Sequence, residues 1–494
     1  MLYFLPFICR RSCIIWVILE KATTKKEAQD MALTEWISER LQQRPDIIAQ
    51  RIEQGQFVCT IFYLLDAIDL EMLQTHVLRP MMRSFSGNVE QLLASIYQTR
   101  TFFPTTYFIK HTPEESLDGL LCGHALLCIS GQTAGILFPF AAPAKRDISV
   151  SENEKTIRGP KESFVEDIWT NLSLIRQRIK SENLVIEQFI IGSESHTIVM
   201  LLYMKGHDNG ELVNTFRAKL QSIQAVRVPG SSFIEEVLDD RLSSPFPKML
   251  NTERPDVVTS SLFEGRVAIL TDGTPNNLIA PATLLAFVQS PEDYYQRYFF
   301  SSWIRILRYF FFGVSLILPS AYVAITTYHP EMLPYNMLIS LAASRDIVPF
   351  PAILEALMME IAFEVMREAG QRIPTTMGQT ISIVGAIVIG DAAVQAGIVS
   401  APMVIIVALT GISSFVVPHF SMTLTIRFLR FALLMISAMF GLLGLLIGVF
   451  LIYIHLLSLD SFGTPYLSPL IPYKSEDMKD AVGRFPWTFW LRKK

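Results

Sequence analysis

Between Lys248 and Lys474, almost half of a 494-residue chain, there is no lysine, although arginine persists there. Only 18% of all residues are charged and half are hydrophobic. This is too apolar for a soluble protein and too polar for one that is membranous throughout. The chain therefore reads as a hybrid, with a soluble first part and a membrane part meeting near residue 300. A formal net charge of −4 and the lack of a basic tract exclude a nucleic-acid binder. Cysteines are few: Cys9, Cys13, Cys59, Cys122 and Cys128 all precede the membrane part and form no CxxC pair. That usage fits a reducing, cytoplasmic side and no disulfide framework. Eight scattered histidines, with no HExxH, GxSxG, GxxxxGK or Cys/His cluster, predict a non-enzyme with no metal and no cofactor. The opening MLYFLPFICRRSCIIWVILEK is broken by Arg10 and Arg11 and lacks a small-residue cleavage site, so residues 1–30 read as an extension ahead of a working start at Met31.

What is present in the first part is a repeat. FVCTIFYLLDAID, from Phe57, returns as HTIVMLLYMKGHDNGELVNTFRAKL, from His196: an apolar strand, an Asp-bearing bend and an amphipathic helix. HALLCISGQTAGILFPF, from His124, returns as RVAILTDGTPNNLIAPA, from Arg266, each a strand, a Gly-centred turn and a second strand. Two similar α/β subdomains are expected, 31–145 and 146–290. Asp272-Gly273-Thr274 reads as a hairpin turn, and the helix in RGPKESFVEDIWTNLSLIRQRIK as a solvated docking helix.

The membrane domain, 291–460, precedes a C-terminal tail, 461–494. It opens with ILRYFFFGVSLILPSAYVAITTY, preceded by Arg297, Arg305 and Arg308, which by the positive-inside rule put the soluble half in the cytoplasm. Pro319 is expected to kink this span. A short Pro-flanked apolar stretch follows, then a Glu-bearing helix, a small-residue helix, MVIIVALTGISSFVV, and one last long span, FALLMISAMFGLLGLLIGVFLIYIHLL; four to six spans are expected. On the Glu-bearing helix, Glu360, Glu364 and Glu368 share a face, Arg367 is placed to pair with Glu364, and Glu355 lies on a different face. Carboxylates at membrane depth face a bundle interior or water, unless the helix is interfacial. On the next helix, Ser382, Ala386, Gly390, Ala393 and Gly397 form a packing stripe, and Thr380, Val384, Ile387, Asp391 and Gln395 occupy the opposite side. That pattern suits either plain helix packing or a pore whose constriction is Ile387.

The blocks RGPKESFVEDIWTNLSLIRQR, SPFPKMLNTERPD, EGRVAILTDGTP, QSPEDYYQR, VPFPAILEALMMEIAFEVMREAGQRIP, GQTISIVGAIVIGDAAVQAGIVS and SFGTPYLSP, in order between Lys155 and Arg484, resemble those of the A subunit of the GerA (GerABKA) family of bacterial spore germinant receptors. Asp391 stands where that family usually has Gln. The resemblance implies a multi-pass protein of the spore inner membrane working with a transporter-like B subunit and a lipoprotein C subunit. It also implies an A subunit that oligomerises into a nutrient-gated ion channel. A membrane-anchored scaffold or signal relay, and a proton-coupled transporter using Glu360 and Glu364, are the alternatives.

Overall fold

The computed structural model describes residues 33–486 and 488, apart from 42–44, 55–56, 66–67, 84–88, 141–153, 155, 208–209, 241–242, 373–389, 474, 476 and 487. These form two compact units, one from residues before 280 without 156–160 and 239–251, the other from those two segments and residues 280 onward.

In the first unit one order of elements occurs twice. A helix leads into a long hairpin, two helices, a short strand, a helix and a second hairpin. The first copy comprises α1 (Leu33–Arg40), β1 (Ile47–Gln54), β2 (Phe57–Leu64), a helical stretch α2 at 70–83, α3 (Val89–Tyr97), β3 (Phe108–Lys110), α4 (Pro113–Leu121), β4 (Ala125–Ile129) and β5 (Gly135–Phe138). The second comprises α5 (Ile168–Arg178), β6 (Leu184–Ile191), β7 (Thr197–Met204), α6 (Gly210–Ser222), α7 (Ser231–Leu238), β8 (Leu250–Thr252), α8 (Pro255–Phe263), β9 (Val267–Thr271) and β10 (Asn277–Ala280). The sheets run β1-β2-β4-β5-β3 and β6-β7-β9-β10-β8, the same order shifted by five strands. Registers correspond too: Cys59 opposes Ile129 across β2 and β4, as Val199 opposes Thr271 across β7 and β9.

Local chemistry repeats with the topology. Pro113 and Pro255 each open a helix at its first turn, where a missing N–H costs nothing. Ten residues later Gly123 and Gly265 stand at φ +89° and +84°, the left-handed conformation that ends a helix and that a side chain resists. Both faces of the first sheet are covered. Cys59, Ile61 and Tyr63 face a core with Leu73, Val77 and Phe103, and Phe62, Leu126 and Cys128 face one with Leu33, Trp36 and Leu117. Among the described residues, two ion pairs tie the copies together, an exposed one between Arg40 and Glu182 at 2.9 Å and a buried one. Arg176 Nε of α5 donates to Asp46 at 2.8 Å, both side chains being buried.

The second unit is a helical bundle: α9 (Tyr298–Tyr328), α10 (Tyr335–Arg345), α11 (Ala352–Arg372), α12 (Ala401–Phe415) and a helical region Phe420–Ser458. Two of these, α9 and Phe420–Ser458, are long and apolar enough to cross a membrane. The second is not the single last span expected. At Gly441 the backbone leaves the helix at φ 62°, ψ −143°. Beyond it, a Cβ on Gly444 would lie 2.6 Å from the Ile436 carbonyl oxygen, and one on Gly448 would meet Leu433. In a continuous helix residues 433 and 448 would be ~22 Å apart. Thr425 and His455 moreover reach adjacent residues, Pro245 and Ser244. The chain therefore reverses at Gly441 into two antiparallel helices, α13 (420–440) and α14 (442–458). Gly441, Gly444 and Gly448 line their contact and permit close approach.

Two further directions follow from contacts. Glu355, early in α11, bonds Ser400 at the start of α12, and Arg367, late in α11, bonds Ser414 near the end of α12. These helices run parallel. The segment after α14 returns to the chain that precedes α9: Ser461 Oγ donates to the Lys248 carbonyl at 2.8 Å, and Arg484 Nη1 to that of Asp293 at 2.8 Å. At eleven residues, ~16 Å, α10 is too short to span, in keeping with a broken segment.

The reversal generates a test. Tyr328 occupies the space a Gly441 side chain would need, with its Cβ 2.9 Å away, and φ is positive there as well. Gly441→Ala is expected to destabilise the bundle by roughly 1–3 kcal/mol, read as a lower midpoint of thermal unfolding in detergent.

Candidate functional site: a buried charge network

Carboxylates in hydrocarbon need partners, and α11 finds them on three other helices. Glu360 is fully buried and accepts from Arg430 Nη1 of α13 at 2.8 Å. One turn on, Glu364 accepts from Arg427 Nη1 at 3.2 Å and lies 3.4 Å from Arg367, the pairing expected from the helical spacing. Arg367 is clamped further. Its guanidinium lies 4.8 Å from the ring centres of both Phe363 and Phe415, and Nη2 donates to Ser414 Oγ at 2.9 Å.

Arg430 has a second task. Pro319 carries no N–H, so the carbonyl four residues earlier in α9, that of Ser315, loses its helical donor. Arg430 Nε donates to that carbonyl at 2.8 Å. One arginine thus closes the gap that proline opens in α9 and neutralises a carboxylate on α11.

Glu355 corrects an expectation. Placed by periodicity on a less important face, it is fully buried. Its Oε2 accepts from Ser400 N–H at 3.0 Å and Ser400 Oγ at 2.7 Å, capping α12, and its Oε1 lies 3.4 Å from Arg345 Nε. It sits 45 residues from the helix it caps, so no local pattern reveals the role.

The arginines that the positive-inside rule counted, Arg297, Arg305 and Arg308, are not placed alike. Arg305 is fully buried and Arg308 nearly so. Arg308 holds both oxygens of Asp293 at 2.7 Å, and Arg305 bridges Asp293 and Asp480, at 3.2 and 3.0 Å. Their charges are committed to the protein interior, leaving Arg297 exposed at the start of the helix.

Of the small-residue helix, Thr380, Ser382, Val384, Ala386 and Ile387 lie outside the described residues. Asp391 and Gln395 are exposed, and Gly390 and Ala393 are half-buried. Gly397 is not on that stripe. It occupies a turn at φ +66° after a short helix, Ala393–Gln395, with its Cβ position 3.1 Å from Ile347. The helix ends first, so the packing face stops short of it.

The family model for the Bacillus/Clostridium GerA spore germination protein matches residues 35–494. The chain belongs to the GerA family. It is a spore germination protein of the germinant-receptor A-subunit type. Spore germination protein KA of Bacillus subtilis (strain 168) is 41% identical over 445 residues, 90% of this chain and 82% of that protein. The uncharacterized membrane protein YfkQ of the same organism is 40% identical over 449 residues, 91% of this chain and 87% of that one. The crystal structure of the N-terminal domain of the A subunit of the Bacillus megaterium germinant receptor GerK3 is 28% identical, covering 51% of this chain and 94% of its own, with a TM-score of 0.40.

Two expectations follow for this GerA-family chain. Glu355→Ala strands the Ser400 N–H and Arg345, and should cost roughly 1–3 kcal/mol, read as a lower midpoint of thermal unfolding in detergent. His419, buried against Phe287 just before α13, is pushed down to about 4 by desolvation. A base whose folded pKa lies below its unfolded value binds fewer protons when folded, so stability is full above pH ~6.5 and falls as pH drops toward 4. His419→Gln should flatten that part of the stability–pH curve.

Proposed function

We propose that this chain is the channel-forming membrane subunit of a nutrient germinant receptor. It sits as a multi-pass protein in the spore inner membrane with its α/β half in the cytoplasm. In this reading copies of the chain assemble around a shared path. A transporter-like B subunit senses nutrient, a lipoprotein C subunit accompanies it, and the A subunit releases ions. The chain performs no catalysis.

The observation that carries the reading is the parallel run of α11 and α12. Arg372, where α11 ends, and Ser400, just before α12, therefore lie toward opposite ends of the bundle, and the C-terminal segment returns to the chain before α9, an arrangement that supports a multi-pass topology. A proton-coupled transporter is less well supported, because Glu360 and Glu364 are both engaged by arginines.

Ion flux through the purified chain in liposomes tests the proposal directly. Ile387→Ala, which shortens the side chain assigned to a dewetting constriction, is expected to release ions from spores without nutrient. A variant that assembles, stays dormant and keeps its nutrient sensitivity places the constriction elsewhere.

A further inference from the structure

α9 is held firmly in both halves and weak between them. In its first half Arg305 and Arg308 bind Asp293, and Tyr309 Oη donates to the Ala481 carbonyl at 2.8 Å. In its second half the Ser320 carbonyl accepts from Ser437 Oγ of α13 at 2.7 Å, and Tyr328 Oη donates to the Ala438 carbonyl at 2.7 Å. The stretch between, residues 310–319, contains the one glycine and the one proline of α9, Gly313 and Pro319, and both residue types weaken a helix from within. Among the described residues, the side-chain hydrogen bond that reaches this stretch from another helix is that of Arg430 Nε to the Ser315 carbonyl, at 2.8 Å. It stands in for the N–H that Pro319 lacks. Without it α9 has an unanswered carbonyl at a proline, the usual place for a helix to bend.

Arg430 is also shared. Its Nη1 donates to Glu360 Oε2 at 2.8 Å, while its Nη2 and Glu360 Oε1, both buried, have no hydrogen-bond partner among the described residues. A guanidinium and a carboxylate bind most strongly through two parallel bonds, and here only one is made. Turning the guanidinium about the Nη1–Oε2 contact brings Nη2 to Oε1 and draws Nε off Ser315. One bond is gained on α11 and one is lost on α9. The observed arrangement leaves Nη2 and Oε1 unanswered, and the turned one leaves Nε and the Ser315 carbonyl so. An exchange of one buried hydrogen bond for another keeps the two arrangements close in free energy, which makes the contact a two-state element. In the first α9 is braced at Pro319, and in the second it is not.

We propose that α9 is a hinged helix that bends at Pro319, and that Arg430 is the positioning residue that sets the hinge. The helix is straight while Nε holds the Ser315 carbonyl and free when both oxygens of Glu360 take the guanidinium. Glu360 belongs to α11, so a displacement of α11 relative to Arg430 is passed to α9 through a single side chain. As the gate drive of the channel this rests on the receptor reading; as a hinge it does not. Each residue acts in a defined sense. Pro319 permits the bend, Arg430 resists it, and Glu360 draws Arg430 away.

Pro319→Ala returns an N–H to the Ser315 carbonyl and holds α9 straight. The variant should accumulate normally in the membrane and raise the nutrient concentration needed for germination on the order of tenfold. Glu360→Gln should raise it too, because whichever way the amide faces, one of the two parallel contacts sets donor against donor. Arg430→Lys has a single nitrogen, which Glu360 holds, so α9 loses its brace and the threshold should fall; adding Pro319→Ala should reverse that fall. A purely structural proline and ion pair would leave the Pro319→Ala threshold at its parental value, and the effect of Arg430→Lys would not depend on residue 319; either result overturns the proposal. A readout independent of germination is amide hydrogen exchange of the full chain in nanodiscs, followed on peptides that cover residues 310–320. In Arg430→Lys exchange there should quicken on the order of tenfold, and in Pro319→Ala with Arg430→Lys it should return to the parental rate. Equal rates in Arg430→Lys and the parental chain overturn the hinge whatever the spores do. Quickened exchange with parental thresholds in every variant keeps the hinge and removes its role in the receptor.

Discussion

A charge taken out of water must meet an opposite charge, and in the membrane unit of this protein that requirement organises everything else. Glu360 and Arg430 sit at the point where α9, α11 and α13 converge, both nearly without exposure. The same guanidinium answers the carbonyl released by Pro319, so a proline in the first long helix, a carboxylate in a later one and an arginine 70 residues beyond that form one unit of design. Breaking the Glu360–Arg430 pair leaves a buried charge unpaired, which is far costlier than never having buried it.

The first unit was largely legible, because its determinants are local. Apolar strands, N-terminal prolines and C-terminal glycines recur at matching offsets, and each acts within a few residues of itself. So Phe57 onward could be matched to His196 onward, though the order of the strands in each sheet was not read. In the bundle, periodicity placed Glu360 and Glu364 on one face and paired Glu364 with Arg367, since these are relations within one helix. Their partners Arg427 and Arg430 were missed; the signal available was two arginines three residues apart at the head of an otherwise apolar run. Glu355 was misjudged because its ligand is the start of another helix. The reversal at Gly441 was invisible for a different reason. GLLGLLIG reads as uninterrupted hydrocarbon, and a positive φ leaves no mark in sequence beyond the glycine that permits it.

Arg305 and Arg308 show how a topological rule can count charges that are not available to it. The rule counts cationic residues as though they faced lipid headgroups. Here they are bound to Asp293 and Asp480 in a largely buried cluster that joins the start of α9 to the C-terminal segment. The charge is structural, and Arg297 alone of the three is exposed for interfacial electrostatics.

The hydroxyl of Tyr328 has a consequence in time. The last turn of a helix leaves carbonyls without intrahelical donors. At the α13–α14 reversal those of Ala438 and Met439 are met by Tyr328 Oη, at 2.7 and 3.2 Å. Tyr328 is made more than a hundred residues earlier, so the donor is in place before the turn that needs it leaves the ribosome.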